Sequence, residues 1–379
     1  MSGVSMIRSV SALASLLFAA NVLAQTAGFL PKVEFPKTDF ENRSVDLASI
    51  LSGGPPKDGI PSIDEPDFTD ALQAQEWLSG DEPVVAFYSG DDARAYPLQI
   101  LIYHEIVNDV VDGKPVTVTF CPLCNASIVF DRNIKGEVLD FGTTGRLRNS
   151  DLIMYDRQSE TWWQQFTGRG IIGKYNEVKL KQLPSQIVSF DTFRSTFPNG
   201  KILTRETGHN RPYGNNPYTG YDNINSSPFL YDGPEDKRLP PMERVLSLAS
   251  EDNTSMLIPV SRLEDNPILN ISYQDKPVVV IASSFATSAL DKGNIATSRK
   301  IPAAAAFSSE LNGETLQFQL NKGELTDKKS GSVWNVFGHA IRGTMKGQQL
   351  RQVDSGVHFA FAWLAFEPGS NIHEIKDEG

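Results

Sequence analysis

The stretch that decides the organisation of this chain is TVTFCPLCNASIVFDR, which runs from Thr117 to Arg132. Two apolar runs rich in β-branched and aromatic residues flank a short turn, and this pattern predicts two neighbouring strands. The turn carries Cys121 and Cys124, the only cysteines among the 379 residues. Such a turn holds two sulfur atoms close enough to bond to each other, to bind a metal ion or to exchange disulfides. The sequence therefore predicts a site at this turn and leaves its chemistry open.

Short β-type segments continue on both sides of the turn, separated by glycines and by Asp and Asn residues, as in meandering antiparallel sheets. Three segments have helical character instead, namely Asp70 to Leu78, Ile100 to Val107 and Phe190 to Phe197. The expected fold class is mainly β (α+β), with short helices.

Several short sequence motifs of the first half of the chain recur in the second half. Lys114-Pro115-Val116 recurs 162 residues later as Lys276-Pro277-Val278, and Pro97-Leu98 with Leu101 recurs at the same shift as Pro259-Val260 with Leu263. At a shift of 171 residues, four positions match in order: Asp156, Ser159, Trp163 and Phe166 correspond to Asp327, Ser330, Trp334 and Phe337. This regularity predicts a tandem duplication of one β-rich unit, with the two copies packed as a pseudo-symmetric pair.

The repeat provides an internal comparison for the cysteines. At the shift of 162 residues, Cys121 corresponds to Ser283 and Cys124 to Ala286, while His104 corresponds to Asn266. The second copy thus lacks the groups that bind metals or react, and the chemistry is expected in the first copy. The alternative is that these positions vary freely, because a buried cysteine often serves only as a small apolar residue.

The boundaries follow from these observations. We predict a signal peptide (1–24), an extended arm (25–81), a first repeat (82–205), a connecting loop (206–242), a second repeat (243–370) and a tail (371–379). The signal rests on the positive Arg8, the short apolar run Ala12 to Ala20, and small residues before a cleavage point after Ala24. We therefore expect an exported, periplasmic protein without a membrane span. A formal net charge of -11 argues against a nucleic-acid partner.

A transition-metal site is the leading interpretation of the cysteine turn. Two thiolates from Cys121 and Cys124, with imidazoles from His104 and less directly His209, form a soft ligand set suited to copper or zinc. Two alternatives stay open. A thiol-redox enzyme would need a helix after the turn to activate the thiol, and a β-type run follows instead. A scaffold protein with a local structural disulfide is the other. Acids in the same copy, among them Asp151, show no spacing that selects a catalytic pair.

The connecting loop is a second candidate for binding. Its unusual content of Tyr, Asn and Arg is uncommon in compact domains unless the loop binds something. We expect His209, Arg211 and Tyr213 to contact an unknown small ligand, and an enzyme that acts on this ligand is one form of the hypothesis. The alternative is a loop that only covers the seam between the copies.

Several longer sequence motifs of this chain resemble those of the DUF3179 family of bacterial exported proteins. They are Asp58 to Pro61, Tyr103 to Asp109, Phe120 to Asn125, Leu147 to Leu152, Glu206 to Gly214 and Leu239 to Val245. The resemblance covers most of the mature chain. It implies export from a bacterial cell, and it brings no established catalytic residues, because the family is named for its unassigned function.

Overall fold

The computed structural model describes residues 31–250 and 254–374. The predicted signal peptide lies outside the described residues. These two ranges contain five short α-helices: α1 (Pro31–Glu34), α2 (Ala71–Ala74), α3 (Leu98–His104), α4 (Phe190–Thr196) and α5 (Ala360–Phe366). Single 3-10 turns occupy Leu47–Ser49, Pro122–Cys124, Val260–Leu263 and Ile295–Thr297. No helix in these two ranges is long and apolar enough to cross a membrane.

Strands dominate both halves, which confirms the mainly β class. The first half contains β1 (Ile50–Ser52), β2 (Phe68–Thr69), β3 (Pro83–Ser89), β4 (Asp92–Pro97), β5 (Ile106–Val111), β6 (Lys114–Cys121), β7 (Ala126–Asp131), β8 (Asn133–Ile134), β9 (Glu137–Val138), β10 (Phe141–Arg148), β11 (Asp151–Asp156), β12 (Trp162–Gln164), β13 (Arg169–Ile172), β14 (Gln182–Leu183), β15 (Gln186–Ser189) and β16 (Lys201–Leu203).

The second half contains β17 (Arg244–Leu248), β18 (Met256–Pro259), β19 (Ile268–Tyr273), β20 (Lys276–Thr287), β21 (Lys300–Ser308), β22 (Glu310–Leu311), β23 (Glu314–Thr315), β24 (Phe318–Asn321), β25 (Glu324–Asp327), β26 (Val333–Trp334), β27 (Ala340–Arg342), β28 (Ser355–Phe359) and β29 (Asn371–Ile372).

Three sheets build the first half, in the strand orders β1-β10-β11-β12-β13, β14-β7-β6-β5 and β15-β3-β4-β16-β2. Three sheets also build the second half, in the orders β28-β17-β18-β29, β19-β20-β21 and β24-β25-β26-β27. Each half also has a two-stranded hairpin, β8-β9 and β22-β23. Among the strands described above, nearly all pairings are antiparallel, and the exceptions are β16 with β4 and β29 with β18.

The arm predicted for residues 25–81 contributes to a sheet. Its strand β1 pairs antiparallel with β10, so that Ile50 lies opposite Arg148. Further along, the amide of Ile63 donates to the carbonyl oxygen of Ile106 at 2.9 Å. These pairings fix the described part of the arm against the first half.

The largest apolar core joins the two halves. It contains Val118 and Phe130 from the central hairpin of the first half together with Phe361 and Trp363 from α5 of the second half. Burial of large aromatic side chains contributes strongly to stability, so each half depends on the other for part of its core.

The predicted helix from Ile100 to Val107 is displaced. The helix α3 begins at Leu98 and ends at His104, and β5 starts at Ile106. Glu105 ends the helix because its backbone is left-handed, with φ of 59°. A left-handed residue redirects the chain, which a pattern of apolar residues alone does not reveal.

Candidate functional site

The cysteine turn joins two strands of the β14-β7-β6-β5 sheet, as the sequence predicts. Cys121 is the last residue of β6 and lies opposite Ala126 of β7. Between them, Pro122–Cys124 forms one 3-10 turn, and Asn125 ends it in a left-handed conformation with φ of 49°. Asparagine tolerates that conformation better than most residues, which explains its place after the second cysteine.

A neighbouring hairpin brings Asp151 to the thiols. The turn between β10 and β11 consists of Asn149 and Ser150, which both have positive φ, 52° and 67°. Two such residues form the tight turn that suits a hairpin, and Asp151 begins β11 opposite Arg148. One ligand atom each from Cys121, Cys124 and Asp151 lies within 4.8 Å of the other two, and all three residues are buried.

The Asp151 carboxylate is only half satisfied. Its Oδ2 accepts hydrogen bonds from Nε2 of Gln164 at 2.7 Å and from the amide of Phe166 at 2.9 Å. Its Oδ1 is buried and has no hydrogen-bond partner among the described residues. Burial raises the pKa of Asp151 to about 7, although these two hydrogen bonds and weaker ones from the Cys124 and Cys121 thiols act to lower it. A buried carboxylate oxygen without a partner is unfavourable, and such atoms often mark a binding or catalytic role.

Both cysteines are free thiols in the structure. The local structural disulfide considered from the sequence is therefore not seen. Burial raises the pKa of Cys121 and, further still, that of Cys124. Unassisted thiol–disulfide exchange proceeds through a thiolate, so this environment opposes it unless a base or a cation stabilises that form.

A second buried carboxyl group lies beside the cluster. Glu105 follows α3, and its carbonyl oxygen accepts a hydrogen bond at 2.8 Å from the amide of Phe120, the residue before Cys121. Burial, helped by the charge of Asp151, raises the pKa of Glu105 to about 8. Burial also raises the pKa of Tyr218, and the charges of Glu105 and Cys121 act in the same direction.

The connecting loop closes over the cysteine turn. The hydroxyl of Tyr221 donates to the carbonyl oxygen of Leu123, between the two cysteines, at 3.1 Å. The amide of Phe229 donates to that hydroxyl at 3.1 Å. The hydroxyl of Ser150 donates to the carbonyl oxygen of Phe229 at 2.5 Å. The loop that the sequence presented as a separate candidate is thus part of the surroundings of the thiols.

His104 has hydrogen bonds at both ring nitrogens. Its Nδ1 lies 2.7 Å from the carbonyl oxygen of Pro61, and Nδ1 must donate there because a carbonyl only accepts. Its Nε2 lies 2.6 Å from the hydroxyl of Tyr213, which in turn lies 2.5 Å from the hydroxyl of Thr207. Burial lowers the pKa of His104 to about 4, so the ring is neutral at pH 7.

Three other predicted residues gather around His104. The ring of His209 lies 5.5 Å from that of His104, between centroids, and the ring of Tyr213 lies at 5.8 Å. Arg211 is near enough for its charge to help lower the pKa of His104, after the larger effect of burial. In the part of the chain that the structure describes, the metal-ligand group around the thiols is completed by Asp151 and includes no histidine.

Two thiolates and a carboxylate are a chemically reasonable set for zinc, and the thiolates suit copper(I). Metal binding would also stabilise the ionised thiols that burial alone disfavours. Both cysteines were predicted as metal ligands from the sequence. No sequence pattern selected Asp151, which lies nearly thirty residues away along the chain. The one local signal was the Asn149-Ser150 pair, a turn sequence directly before it.

Fold and site together define a mainly β protein with a buried dithiol–carboxylate cluster at the end of a hairpin. A family model described as "Protein of unknown function (DUF3179)" matches residues 57–370. The chain therefore belongs to the DUF3179 family. The comparison with curated proteins found no match, and the comparison with solved structures found none.

Proposed function

We propose that this protein binds a transition-metal ion, zinc or copper(I), through Cys121, Cys124 and Asp151. The observation that carries the proposal is that one ligand atom from each of three buried residues lies within 4.8 Å of the other two. One of these residues, Asp151, also has a carboxylate oxygen without a hydrogen-bond partner among the described residues. Buried polar atoms are nearly always paired, so an unpaired one beside two thiols favours a ligand role.

The hydrogen bonds around Asp151 suit this role. Oδ2 is held by Gln164 and Phe166, which fixes the carboxyl plane and leaves Oδ1 to bind a metal. Secondary contacts of this kind orient metal ligands and tune their affinity. Three protein ligands also leave a fourth position on a tetrahedral ion open to water or substrate. The predicted ligands His104 and His209 stay a prediction, and ligation by His104 would break one of its two hydrogen bonds.

Cobalt(II) titration of the reduced, full-length mature chain tests this proposal, because thiolate–cobalt bonds absorb in the near ultraviolet. We expect one equivalent of cobalt to bind, zinc to displace it, and both Cys121→Ser and Cys124→Ser to abolish the absorbance. Asp151→Asn should weaken binding at least about tenfold.

Ser283→Ala is the matched control, because Ser283 occupies the position that corresponds to Cys121 in the second half. It should bind like the wild type. Metal that remains bound in a variant lacking both cysteines would contradict the proposal.

A second candidate function, thiol–disulfide exchange, is favoured by one observation: a buried carboxyl with a pKa of about 7 beside two free thiols. Such a group is matched to accept a thiol proton near neutral pH. In the reaction, the two thiols form one S–S bond, and two electrons and two protons pass to a disulfide-class oxidant, which becomes two thiols. Equilibration with glutathione buffers, followed by alkylation and mass measurement, distinguishes this candidate. A pair that stays reduced in oxidised glutathione would exclude it.

We also infer that the two halves arose by tandem duplication, as the repeated sequence predicts. Matching hydrogen bonds support this inference. Nε1 of Trp163 donates to Oδ2 of Asp156 at 3.0 Å, and Nε1 of Trp334 donates to Oδ2 of Asp327 at 3.1 Å. Asn108 exchanges two hydrogen bonds with the backbone of Phe141, and the residue 162 positions later, Asn270, does the same with Phe318.

Export is the remaining part of the proposed function, and the pattern in residues 1–24 supports it. Fractionation of cells that express the full chain, with Arg8→Glu as a targeting variant, tests it. We expect periplasmic protein shortened by the signal for the wild type and unprocessed protein for the variant. Wild-type protein that keeps residues 1–24 in the cytoplasm would contradict export.

A further inference from the structure

A polar cleft lies where the two halves meet, and none of the three proposed metal ligands belongs to its lining. Its volume is about 390 Å³, which falls in the range of small-ligand sites. The first half contributes residues between Ile128 and Gln182, and the second half contributes residues between Ser247 and Glu367. Neither half alone would form this cleft.

His358 belongs to the cleft wall and is itself buried. It is 3% exposed, and its Nδ1 has no hydrogen-bond partner among the described residues. Its ring stacks on Trp363 at 5.7 Å and contacts Phe166 at 4.8 Å, between centroids. Burial lowers the pKa of His358 to about 3, so the ring is neutral and its two nitrogens provide one donor and one acceptor.

The charged residues of the cleft balance each other. Arg169 and Lys179 lie opposite each other on adjacent backbone segments, so their side chains share one face. Asp354 and Glu367 also line the cleft. No ion pair within 4 Å involves any of these four side chains in the described ranges. Two cations and two carboxylates leave no net charge, so the cleft favours neither an anion nor a cation.

Two serine hydroxyls on the wall have spare accepting capacity. Ser247 donates to the carbonyl oxygen of Gly356 at 3.3 Å, and Ser355 donates to that of Val353 at 3.0 Å. Because each hydroxyl uses its single proton in this bond, its lone pairs remain for a donor from a ligand. The cleft is thus lined by cationic side chains that donate hydrogen bonds and by carboxylates and hydroxyls that accept them.

We propose that this cleft binds a neutral carbohydrate of one or two sugar units. A sugar ring carries many hydroxyl groups that both donate and accept, and it matches a wall with balanced charges and mixed hydrogen-bonding groups. Its C–H face is apolar and would meet the edges of the packed rings of Phe166, Trp363 and Phe366, which line the cleft. An anionic ligand would meet Asp354 and Glu367, and a cationic ligand would meet Arg169 and Lys179.

Isothermal titration of the full-length mature chain with glucose and maltose tests the proposal, with glucuronate and glucosamine as charged probes of similar shape. We expect one of the neutral sugars to bind more tightly than both charged probes. Arg169→Ala and Glu367→Ala should each lower its affinity about tenfold, because each removes a hydrogen-bonding partner of the ligand. Both side chains reach the surface, so these variants should fold.

Arg342→Ala provides the matched control, because Arg342 is exposed and lies outside the cleft wall. It should bind the sugar as the wild type does. Absence of binding by both neutral sugars, tighter binding of a charged probe, or equal affinity in the wild type and both cleft variants would each overturn the proposal. None of these results depends on the thiols, so failure here is distinguishable from failure of the metal proposal.

Discussion

Glu105 carries its carboxyl group where ionisation is unfavourable. Its pKa in the folded protein is about 8, against an ordinary value of 4.5. The folded state therefore holds this proton more tightly than the unfolded state does. The resulting stabilisation is fully present below about pH 4.5 and is lost as the pH rises through about 8. The metal-free protein should accordingly lose stability across this range.

Glu105→Gln tests this pH dependence, because glutamine keeps the shape and cannot ionise. At pH 9 we expect the variant to be more stable than the wild type by about 1 to 3 kcal/mol, and at pH 4 we expect the two to be similar. Urea unfolding of metal-free protein at both pH values measures the difference. Glu310→Gln, an exposed glutamate in the second half, is the control and should change little. An unchanged difference between the two pH values would contradict the assignment.

The individual residues of the site were predictable only where the signal was local. Cys121 and Cys124 lie in one turn, so their proximity follows from sequence spacing alone. Asp151 is placed near the cysteines by the turn between β10 and β11, and Glu105 by the end of α3. Both placements depend on residues with a left-handed backbone, namely Asn149, Ser150 and Glu105 itself. His104 precedes the predicted strand that ends directly at Cys121, which made it the expected partner. The direction of its ring depends on Tyr213 in the connecting loop, which no local pattern encodes.

Among the elements, the connecting loop is anchored by a buried ion network. Asp222 is 2% exposed, and its Oδ2 accepts hydrogen bonds from Arg244 at 2.8 Å, from Ser288 at 2.5 Å and from Arg299 at 2.8 Å. Burial opposes ionisation of Asp222, but the surrounding donors prevail and lower its pKa. Arg244 is the first residue of β17, Ser288 directly follows β20, and Arg299 directly precedes β21. The network therefore links the loop to these three strands. The loop that covers the thiols is therefore fixed from its far end.

Asp222→Asn should destabilise the protein by about 3 to 5 kcal/mol, because it leaves the buried Arg244 guanidinium without its counter-charge. Asp291→Asn removes a carboxylate that pairs with the half-exposed Arg299, and it should cost less than about 1 kcal/mol. Urea unfolding at pH 7 compares the two variants. Equal losses of stability would contradict a structural role for the network.

Strand β10 contains a bulge that the sequence analysis did not detect. Its pairing with β11 shifts between Thr143 and Arg146, and Gly145 lies within this bulge with φ of 69°. A Cβ atom on Gly145 would lie 2.0 Å from the carbonyl oxygen of Pro55 in the arm. The arm thus packs directly on the strand that leads to Asp151, and only glycine permits this approach.

Gly145→Ala should therefore cost about 3 kcal/mol or more, since the left-handed backbone and the collision with Pro55 both oppose it. Gly136→Ala is the matched control, because Gly136 also has positive φ but its added Cβ would meet no atom within 4 Å. That variant should lose only about 1 kcal/mol. Thermal and urea unfolding of both proteins measure the difference, and similar losses would show that the arm can move away from β10.

The sequence predicted the hairpin of β6 and β7 because its β-branched and aromatic runs on both sides of the cysteine turn favour strands. It did not place the end of α3, since a single left-handed residue decides that boundary. It also did not show that β1 of the arm pairs with β10, because pairing between distant segments depends on the register of the whole sheet.

At the scale of the whole molecule, repeated sequence motifs predicted two related halves. The spacing of these motifs contained no information on how the halves pack together. The meeting surface includes α5 and the strands β7 and β28, and all three elements contribute residues to the wall of the cleft. Both the polar cleft and the shared apolar core lie at this surface. A change in the shared core should therefore affect both halves.

Phe361→Ala tests that coupling. Phe361 is 4% exposed and belongs to the core that also contains Val118 and Phe130 of the first half. Removal of a buried phenylalanine side chain costs about 3 to 5 kcal/mol. If the halves are cooperative, hydrogen exchange followed by mass spectrometry should show faster exchange in β6 and β7 as well as in β17 and β28. Phe285→Ala removes a ring that is 43% exposed and should leave both regions unchanged. Faster exchange confined to the second half would mean that the first half holds its thiol site without support from its neighbour.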